Sequence, residues 1–436
     1  MSQFRLARLC LMLAAVGLNA APILMTSAHA QQAPAAAPAA KPDAVRPELF
    51  KLLDPAQTKP LMDAKNFTEL QNRINQGEAL PNLTPYERFV IERTKVAVGS
   101  ASGNDAMTRA ALEATIASGR LSPDELNNFT LVLANQYFNA KDYPKAIEWL
   151  KRYQKDSKTP EQANQMLINS YYLSGDYANA KTMLLPVVAE SEKAGKVPAQ
   201  QDLRMLGSAA LKVKDNAAYL VAIEKLAAHY PSDDLWADMI NRGVVDKPGF
   251  DAQNNQIEVY RLQFATIKSM SANEYMTLAE YATLGGFPSE AKMVLDAGFA
   301  AGTLGTGPNA AKHRQARDKA SKAAADDAKS IGAGEASAAK SKNGAGLVNL
   351  GWAYVTMGQA DKGIDLIKQG IAKGGMKRPD EGKLRLGMAY AKAGRKADAI
   401  QAFESVKAGG GLSDLARYWI MAMKRPEGAA PVAAAK

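Results

Sequence analysis

The sequence predicts an all-α chain built from stacked antiparallel helical hairpins, and three observations lead there. Two blocks near the middle repeat at a spacing of 34 residues, two blocks near the C-terminus repeat at 36, and several segments open with the same helix-start grammar.

The first pair sets LANQYFNAKDYPKAIEWL (Leu133 to Leu150) against LINSYYLSGDYANAKTML (Leu167 to Leu184). Leu133/Leu167, Tyr137/Tyr171, Asp142/Asp176, Tyr143/Tyr177, Ala146/Ala180 and Leu150/Leu184 fall in register. The second sets LGWAYVTMGQADKGIDLI (Leu350 to Ile367) against LGMAYAKAGRKADAIQAF (Leu386 to Phe403), aligning Leu350/Leu386, Gly351/Gly387, Tyr354/Tyr390, Gly358/Gly394 and Ile364/Ile400. Leucine, a small residue and a tyrosine four positions on share one helical stripe. The alanine after the turn lets a second helix approach closely. One hairpin cannot bury that stripe alone, so neighbours must stack.

Helix starts follow at Thr84-Pro85-Tyr86-Glu87, Ser122-Pro123-Asp124-Glu125 and Thr159-Pro160-Glu161-Gln162, each read as an N-cap, a proline in the first turn and a capping-box partner. Ala64-Lys65-Asn66-Phe67 echoes Ala140-Lys141-Asp142-Tyr143, which places the start of the array soon after residue 47. Weaker copies begin at Leu206, with a Lys-Asp turn and Pro231 beyond it, and at Tyr275, with Ala291 at the small position. Ala291 and Gly363 lie 72 residues apart, so one further repeat is expected within 302–346. That stretch is rich in Ala, Lys, Asp and Gly and poor in large apolar residues; its core from Ala310 to Ser330 is helix-prone but cannot bury much area. It reads as a weakly packed hairpin or, by preference, a mobile joint between two sub-arrays.

These blocks resemble the tetratricopeptide repeat, whose pattern asks for Leu-Gly-x-x-Tyr on a first helix and Ala-x-x-x-Phe/Leu on a second. The resemblance implies a right-handed solenoid. Organisation then reads as a signal peptide over 1–30, an Ala/Pro tether over 31–47, a helical array over 48–300, the Ala/Lys-rich segment 301–346, a C-terminal repeat pair with a closing helix over 347–423, and a tail over 424–436.

The signal consists of Arg5 and Arg8, an apolar run from Leu9 to Leu18, and Ala28-His29-Ala30; cleavage is expected before Gln31, giving a periplasmic protein. Cleavage removes Cys10, the only cysteine, and leaves two histidines, His229 and His313. Disulfides, zinc-thiolate sites and cysteine nucleophiles are thereby excluded. No further apolar run is long enough to span a bilayer. The formal charge of +10 is uneven: acids outnumber bases ten to five over 231–300, and bases outnumber acids ten to four over 361–396. In an exported protein such charge points to anionic lipid, cell-wall polymer or an acidic protein rather than nucleic acid.

No phosphate loop, His-Glu-x-x-His, Gly-x-Ser-x-Gly elbow or dinucleotide fingerprint occurs, so no catalytic residue, metal or cofactor is expected. His229 is expected at a helix end, complementing the terminal carbonyls, and His313 in solvent. Asp233-Asp234 and Asp326-Asp327 are the visible carboxylate pairs and would serve a minor alternative, an exported glycan hydrolase. Adjacent residues point apart on a helix, which argues against it.

By the family resemblance, first helices line a concave face. That face would carry Leu131, Asn135, Phe138, Gln165, Asn169, Tyr172, Arg204, Val348 and Trp352. Asn135 and Asn169, one repeat apart, could each hold a backbone amide of an extended peptide. A carboxylate clamp would need basic residues where Leu131 and Gln165 stand. The alternative surface is a basic patch of Lys377, Arg378, Lys383 and Arg385, binding anionic polymer or lipid. The blocks and the closing GLSDLARYWIMAM segment also resemble exported proteobacterial repeat proteins, some tied to TonB-linked outer-membrane uptake. That resemblance implies a scaffold for a protein or peptide in the cell envelope.

Overall fold

The computed structural model describes residues 43–425, all of whose regular structure is helical. The signal segment, Cys10, most of the tether and the tail beyond Arg425 lie outside the described residues. The chain divides into two compact units, Met1–Met183 and Leu184–Lys436.

The first unit runs α1 (Pro47–Leu53), α2 (Pro55–Asp63), α3 (Phe67–Glu78), α4 (Pro85–Ser102), α5 (Asp105–Ala117), α6 (Pro123–Asn139), α7 (Tyr143–Asp156), a 3₁₀ turn (Pro160–Ala163), α8 (Asn164–Leu173) and the start of α9 (Tyr177–Lys193). Helices α4/α5 and α6/α7 pair as antiparallel hairpins, and α8 packs on α7. Capping boxes form at Thr84/Glu87 and Ser122/Glu125. Glu87 does more than cap: its buried carboxylate takes Arg46 Nε at 2.7 Å and Nη2 at 2.8 Å, fastening the segment before α1 to α4. The hydrogen bond from Arg46 holds that carboxyl down to about 2 against the opposing effect of burial.

The third expected box does not form. Thr159 Oγ1 lies 3.1 Å from Tyr153 Oη, Gln162 Oε1 accepts from the same phenol, and the chain turns through the 3₁₀ segment before α8 begins. A buried phenol needing partners has taken both polar groups the cap would have used.

The echo between Ala64-Lys65-Asn66 and Ala140-Lys141-Asp142 is a shared backbone turn. Lys65, Lys141 and, in the second unit, Lys214 all sit at positive φ, while Asn66, Asp142 and Asp215 cap the helix that follows. Gly175 takes the same turn position one period after Lys141. Leu133, Ala146 and Leu150 are fully buried, as are Ala180 and Leu184.

Tyr137 and Tyr171 are both 5% exposed. Tyr137 Oη donates to Glu113 Oε1 of the preceding hairpin at 2.5 Å, under the ammonium of Lys145. Tyr171→Ala should cost about 3 kcal/mol through the cavity it leaves. The loss should spread to α6 and α7, because repeats are stabilised by their neighbours. Urea unfolding and amide exchange check this, and unchanged exchange around Ala140 would contradict stacking in this order.

The second unit continues through α10 (Gln200–Lys212), α11 (Asn216–His229), α12 (Asp233–Ile240), a π turn (Asn241–Val245), α13 (Ala252–Thr266), α14 (Ala272–Leu284), α15 (Pro288–Ala300), α16 (Ala310–Lys340), α17 (Ala345–Thr356), α18 (Ala360–Lys373), α19 (Pro379–Lys392), α20 (Lys396–Glu404) and α21 (Leu412–Met423). Four hairpins recur within it: α10/α11, α14/α15, α17/α18 and α19/α20.

Where a hidden hairpin or joint was expected over 301–346, the chain forms one helix of 31 residues, α16. Its alanines favour helix throughout, and the loop before it folds back through Gly302, Gly305 and Gly307, all at positive φ. The end of α16 stands in for the missing second helix. Glu335 accepts from Tyr354 Oη and pairs with Lys362, repeating the Glu113, Tyr137 and Lys145 arrangement of the first unit.

Helices α17 and α18 touch backbone to backbone. A Cβ on Gly351 would lie 2.6 Å from Gly363 O, and one on Gly370 would lie 2.6 Å from Gly344 O. Gly351 and the N-cap Gly344, seven residues apart, therefore meet Gly363 and Gly370, also seven apart, and set this crossing.

The last helix, α21, closes the unit. It follows Gly411 at positive φ and buries Leu415, Tyr418 and Trp419. Its partners come from much earlier in the chain: Tyr418 Oη donates to Glu224 Oε1 at 2.9 Å, Arg417 pairs with Glu224 at 2.7 Å, and Lys247 pairs with Asp414 at 2.7 Å. Just before the helix, Gly410 O accepts from Asn255 Nδ2 at 2.7 Å. Gly243 in the π turn makes room for the Tyr418 ring, since a Cβ there would lie 2.8 Å from Tyr418 Cζ.

Candidate functional site

In the first unit, the predicted face is carried by α6 and α8, the first helices of successive repeats. Their apolar stripes point at α7 and the hairpin core, which leaves the 131, 135, 138 and 165, 169, 172 positions on the other side. Asn135 and Gln165 are exposed; Leu131, Phe138, Asn169 and Tyr172 are half-buried. Gln165 Nε2 donates to Asn169 Oδ1 at 3.3 Å. Phe138 packs edge-on to Tyr143 at 5.7 Å, and one repeat later Tyr172 packs edge-on to Tyr177 at 5.4 Å. Each first helix thus ends in an aromatic pair beside an amide side chain. Leu173, 51% exposed, is a large apolar side chain next to Tyr172 that the sequence reading did not single out. Only its departure from the buried register of Leu167 and Tyr171 marks it.

A groove of about 550 Å³ lies elsewhere in this unit, between the end of α3, α4 and the end of α5. Phe89, Ile91 and Ala114 line it, with Arg88 and Arg120 also contributing.

The predicted residues of the second unit do not form such a face. Arg204 is exposed on α10, whereas Val348 and Trp352 are each 2% exposed and belong to the core. Trp352 faces inward because its indole Nε1 donates to Glu290 Oε2 at 3.0 Å inside a buried ionic cluster. Arg261 of α13 stands at its centre. It grips Glu290 of α15 through Nε at 2.8 Å and Nη2 at 2.7 Å, and Glu258 through Nη1 at 2.7 Å. Its guanidinium lies 5.0 Å from the Trp352 ring centroid and 5.4 Å from that of Phe287. Burial works to lower the Arg261 pKa, but the two carboxylates outweigh it and raise the value. Glu290 is held below the usual carboxylate range: burial pushes it up, and Arg261 and Trp352 more than compensate.

The basic patch is also drawn inward. Arg385 is largely buried over Phe287, its Nη1 bonded to Asn349, its Nε 3.8 Å from Glu258. Arg378 pairs with Glu381 and donates to Asn255. Lys383 bonds to Asp380 at 2.6 Å. Lys377 is exposed. Bases outnumber acids in this stretch because several of them answer acids elsewhere in the unit, a balance that local counting misses.

His229 ends α11, as expected. His313 is not in solvent: it is 6% exposed, and its Nδ1 accepts the Gly305 N–H at 3.2 Å, satisfying a donor that the glycine loop would otherwise leave unpaired. Asp233 clasps the Lys268 and Ser269 amides at 3.0 and 2.9 Å, a structural use of that carboxylate. Asp327 is half-buried, and burial raises its pKa. Among the described residues no group of three or more His, Cys, Asp or Glu could hold a metal ion, and no helix is long and apolar enough to cross a membrane.

No family model and no curated protein matches the chain. Among solved structures, it is similar to the TPR2AB domain of yeast Sti1 in complex with pHSP90, at 15% identity over 68% of this chain and 98% of that one, with a TM-score of 0.22. The TPR domain of P58(IPK) is 11% identical over 86% and 97% of the two chains, TM-score 0.22. Naa15/Naa10 bound to HypK-THB is 13% identical over 85% of this chain and 64% of that one, TM-score 0.27.

Proposed function

We propose that this tetratricopeptide-like chain is a non-catalytic scaffold of the cell envelope that holds an extended segment of a protein partner on the α6/α8 face of its first unit. The observation that carries the reading is the repetition of an accessible amide beside an aromatic pair, Asn135 with Phe138 and Asn169 with Tyr172, at the period of the fold. An amide offers both a donor and an acceptor to a peptide backbone, and the neighbouring rings offer apolar area for its side chains. Export by cleavage after Ala30 and periplasmic residence belong to the same proposal, resting on the signal grammar of 1–30; a link to TonB-type uptake rests on resemblance alone.

Replacing Asn135 and Asn169 together with alanine should leave helicity and melting temperature nearly unchanged, because Asn135 is exposed and Asn169 is held by a long bond from the exposed Gln165, and such surface groups contribute little to folding. Capture of a partner from envelope extract should fall about thirtyfold, each lost pair of amide contacts removing roughly 1 kcal/mol. Pulldown with the variant beside the unaltered protein measures this. Equal capture by the two would end the α6/α8 reading.

A further inference from the structure

The α16 helix carries a second surface, of a different kind. Lys312, Lys319, Lys322, Lys329 and Lys340 fall within an arc of roughly 100° when the helix is read at about 100° per residue, and they span about 42 Å at ~1.5 Å rise per residue. All five are exposed. Among the described residues Lys312, Lys319, Lys322 and Lys340 make no ion pair, and Lys329 approaches only Asp326, at 4.0 Å with both side chains well solvated. The opposite side of the helix, with His313, Ala320, Ala324, Ile331 and Ala338, is the one that packs on the unit.

Folding does not account for this stripe. Lys312 lies in the first turn of α16, where the helix dipole disfavours cations. By contrast, the lysines and arginines of the predicted C-terminal patch are largely occupied by internal partners. Between Lys329 and Lys340 the same arc holds only Ser330, Ala333 and Ser337, and between Lys312 and Lys329 it holds Gln315 and Asp326, one carboxylate against five ammonium groups. The ammonium groups therefore stand clear of bulky neighbours along one line of a rigid element. A flexible polyanion needs no such line; a planar array of phosphates is complementary to it.

We propose that the lysine face of α16 docks on a bilayer surface bearing anionic phospholipid headgroups. Five lysines near such a surface supply attraction that adds across them and is screened by salt. This proposal is independent of the α6/α8 partner site, which lies in the other unit and is read by partner capture.

The test uses the full-length chain with vesicles of phosphatidylglycerol in phosphatidylcholine, and of phosphatidylcholine alone, in co-flotation at low and physiological salt. The unaltered protein should float with the anionic vesicles at low salt, less so at physiological salt, and not with the neutral ones. Lys→Gln at all five positions should reduce that binding about tenfold or more with helicity unchanged, while Lys→Arg at the same positions should retain it. Equal binding by the Gln variant would overturn the assignment to α16. Absence of binding to anionic vesicles would overturn the bilayer, and retention on heparin in that case would turn the face toward a flexible polyanion.

Discussion

Arg261→Met should destabilise the C-terminal unit by about 3–5 kcal/mol, because it leaves Glu258 and Glu290 buried with their shared cation gone. Both carboxylates are nearly inaccessible, so water cannot replace the guanidinium without opening the packing of Trp352 and Phe287 around it. The pH dependence should also change sign. In the unaltered protein Glu290 has a depressed pKa, so its contribution is present above the unfolded carboxylate pKa and is lost as pH falls. Without Arg261, burial favours the protonated form of Glu290, and the variant should recover stability on mild acidification. Glu290→Gln, added to Arg261→Met, removes the stranded charge at that position and should restore part of the loss, since an amide oxygen there can still accept from Trp352, while Glu258 keeps Arg385 3.8 Å away. Urea unfolding followed by tryptophan fluorescence reads all three quantities. A loss below about 1 kcal/mol for the single variant would show that the cluster is hydrated in solution.

Gly363→Ala should also be destabilising, although helix propensity alone says otherwise. Glycine to alanine inside a helix ordinarily gains about 1 kcal/mol. At Gly363 the new Cβ would lie 2.4 Å from both Gly351 O and Val355 Cγ2, so the helices must separate along their length. Overpacking of this sort costs about 1–3 kcal/mol or more, and with backbone on both sides the upper end applies, leaving a net loss of roughly 2 kcal/mol. Gly332→Ala provides the contrast. Nothing lies within 4 Å of a Cβ at Gly332, so the propensity gain should appear undiminished there. Thermal melts of the two variants should move in opposite directions, and a rise in melting temperature for Gly363→Ala would refute the backbone contact.

The hairpins were legible because their cause is local. Leu133, Tyr137 and Ala146 recur one period later, and the caps at Thr84 and Ser122 lie within four residues of the groups they satisfy. Thr159 shows where local reading stops: the same grammar was overruled by Tyr153, a phenol of the preceding helix. The site residues divide along the same line. Asn135 and Asn169 sit where periodicity puts them, since α6 and α8 use the ordinary stripe to face their hairpins. Trp352 and Arg385 do not, because the partners that turn them inward, Glu290, Glu258 and Phe287, lie 62 residues or more away in sequence. Val348, one turn before Trp352, goes inward with it. His313 was read from its basic neighbours, whereas its burial follows from a loop whose path depends on three glycines. The alanines of 310–330 made a helix legible there, but only its continuation to Lys340 put all five lysines on one arc.

The return of α21 onto Glu224, Lys247 and Asn255 changes how this unit can be made. An open repeat array can nucleate anywhere and grow by neighbour contacts, so it can fold as it leaves the ribosome. Here contacts such as Tyr418 to Glu224 close a span of 194 residues, and partners such as Glu224 and Phe403 stay uncovered until α21 has been made. Loop closure on that scale raises contact order and slows folding. The N-terminal hairpins can therefore be complete while the second unit still waits, its inner apolar surface uncovered, for the last dozen or so described residues.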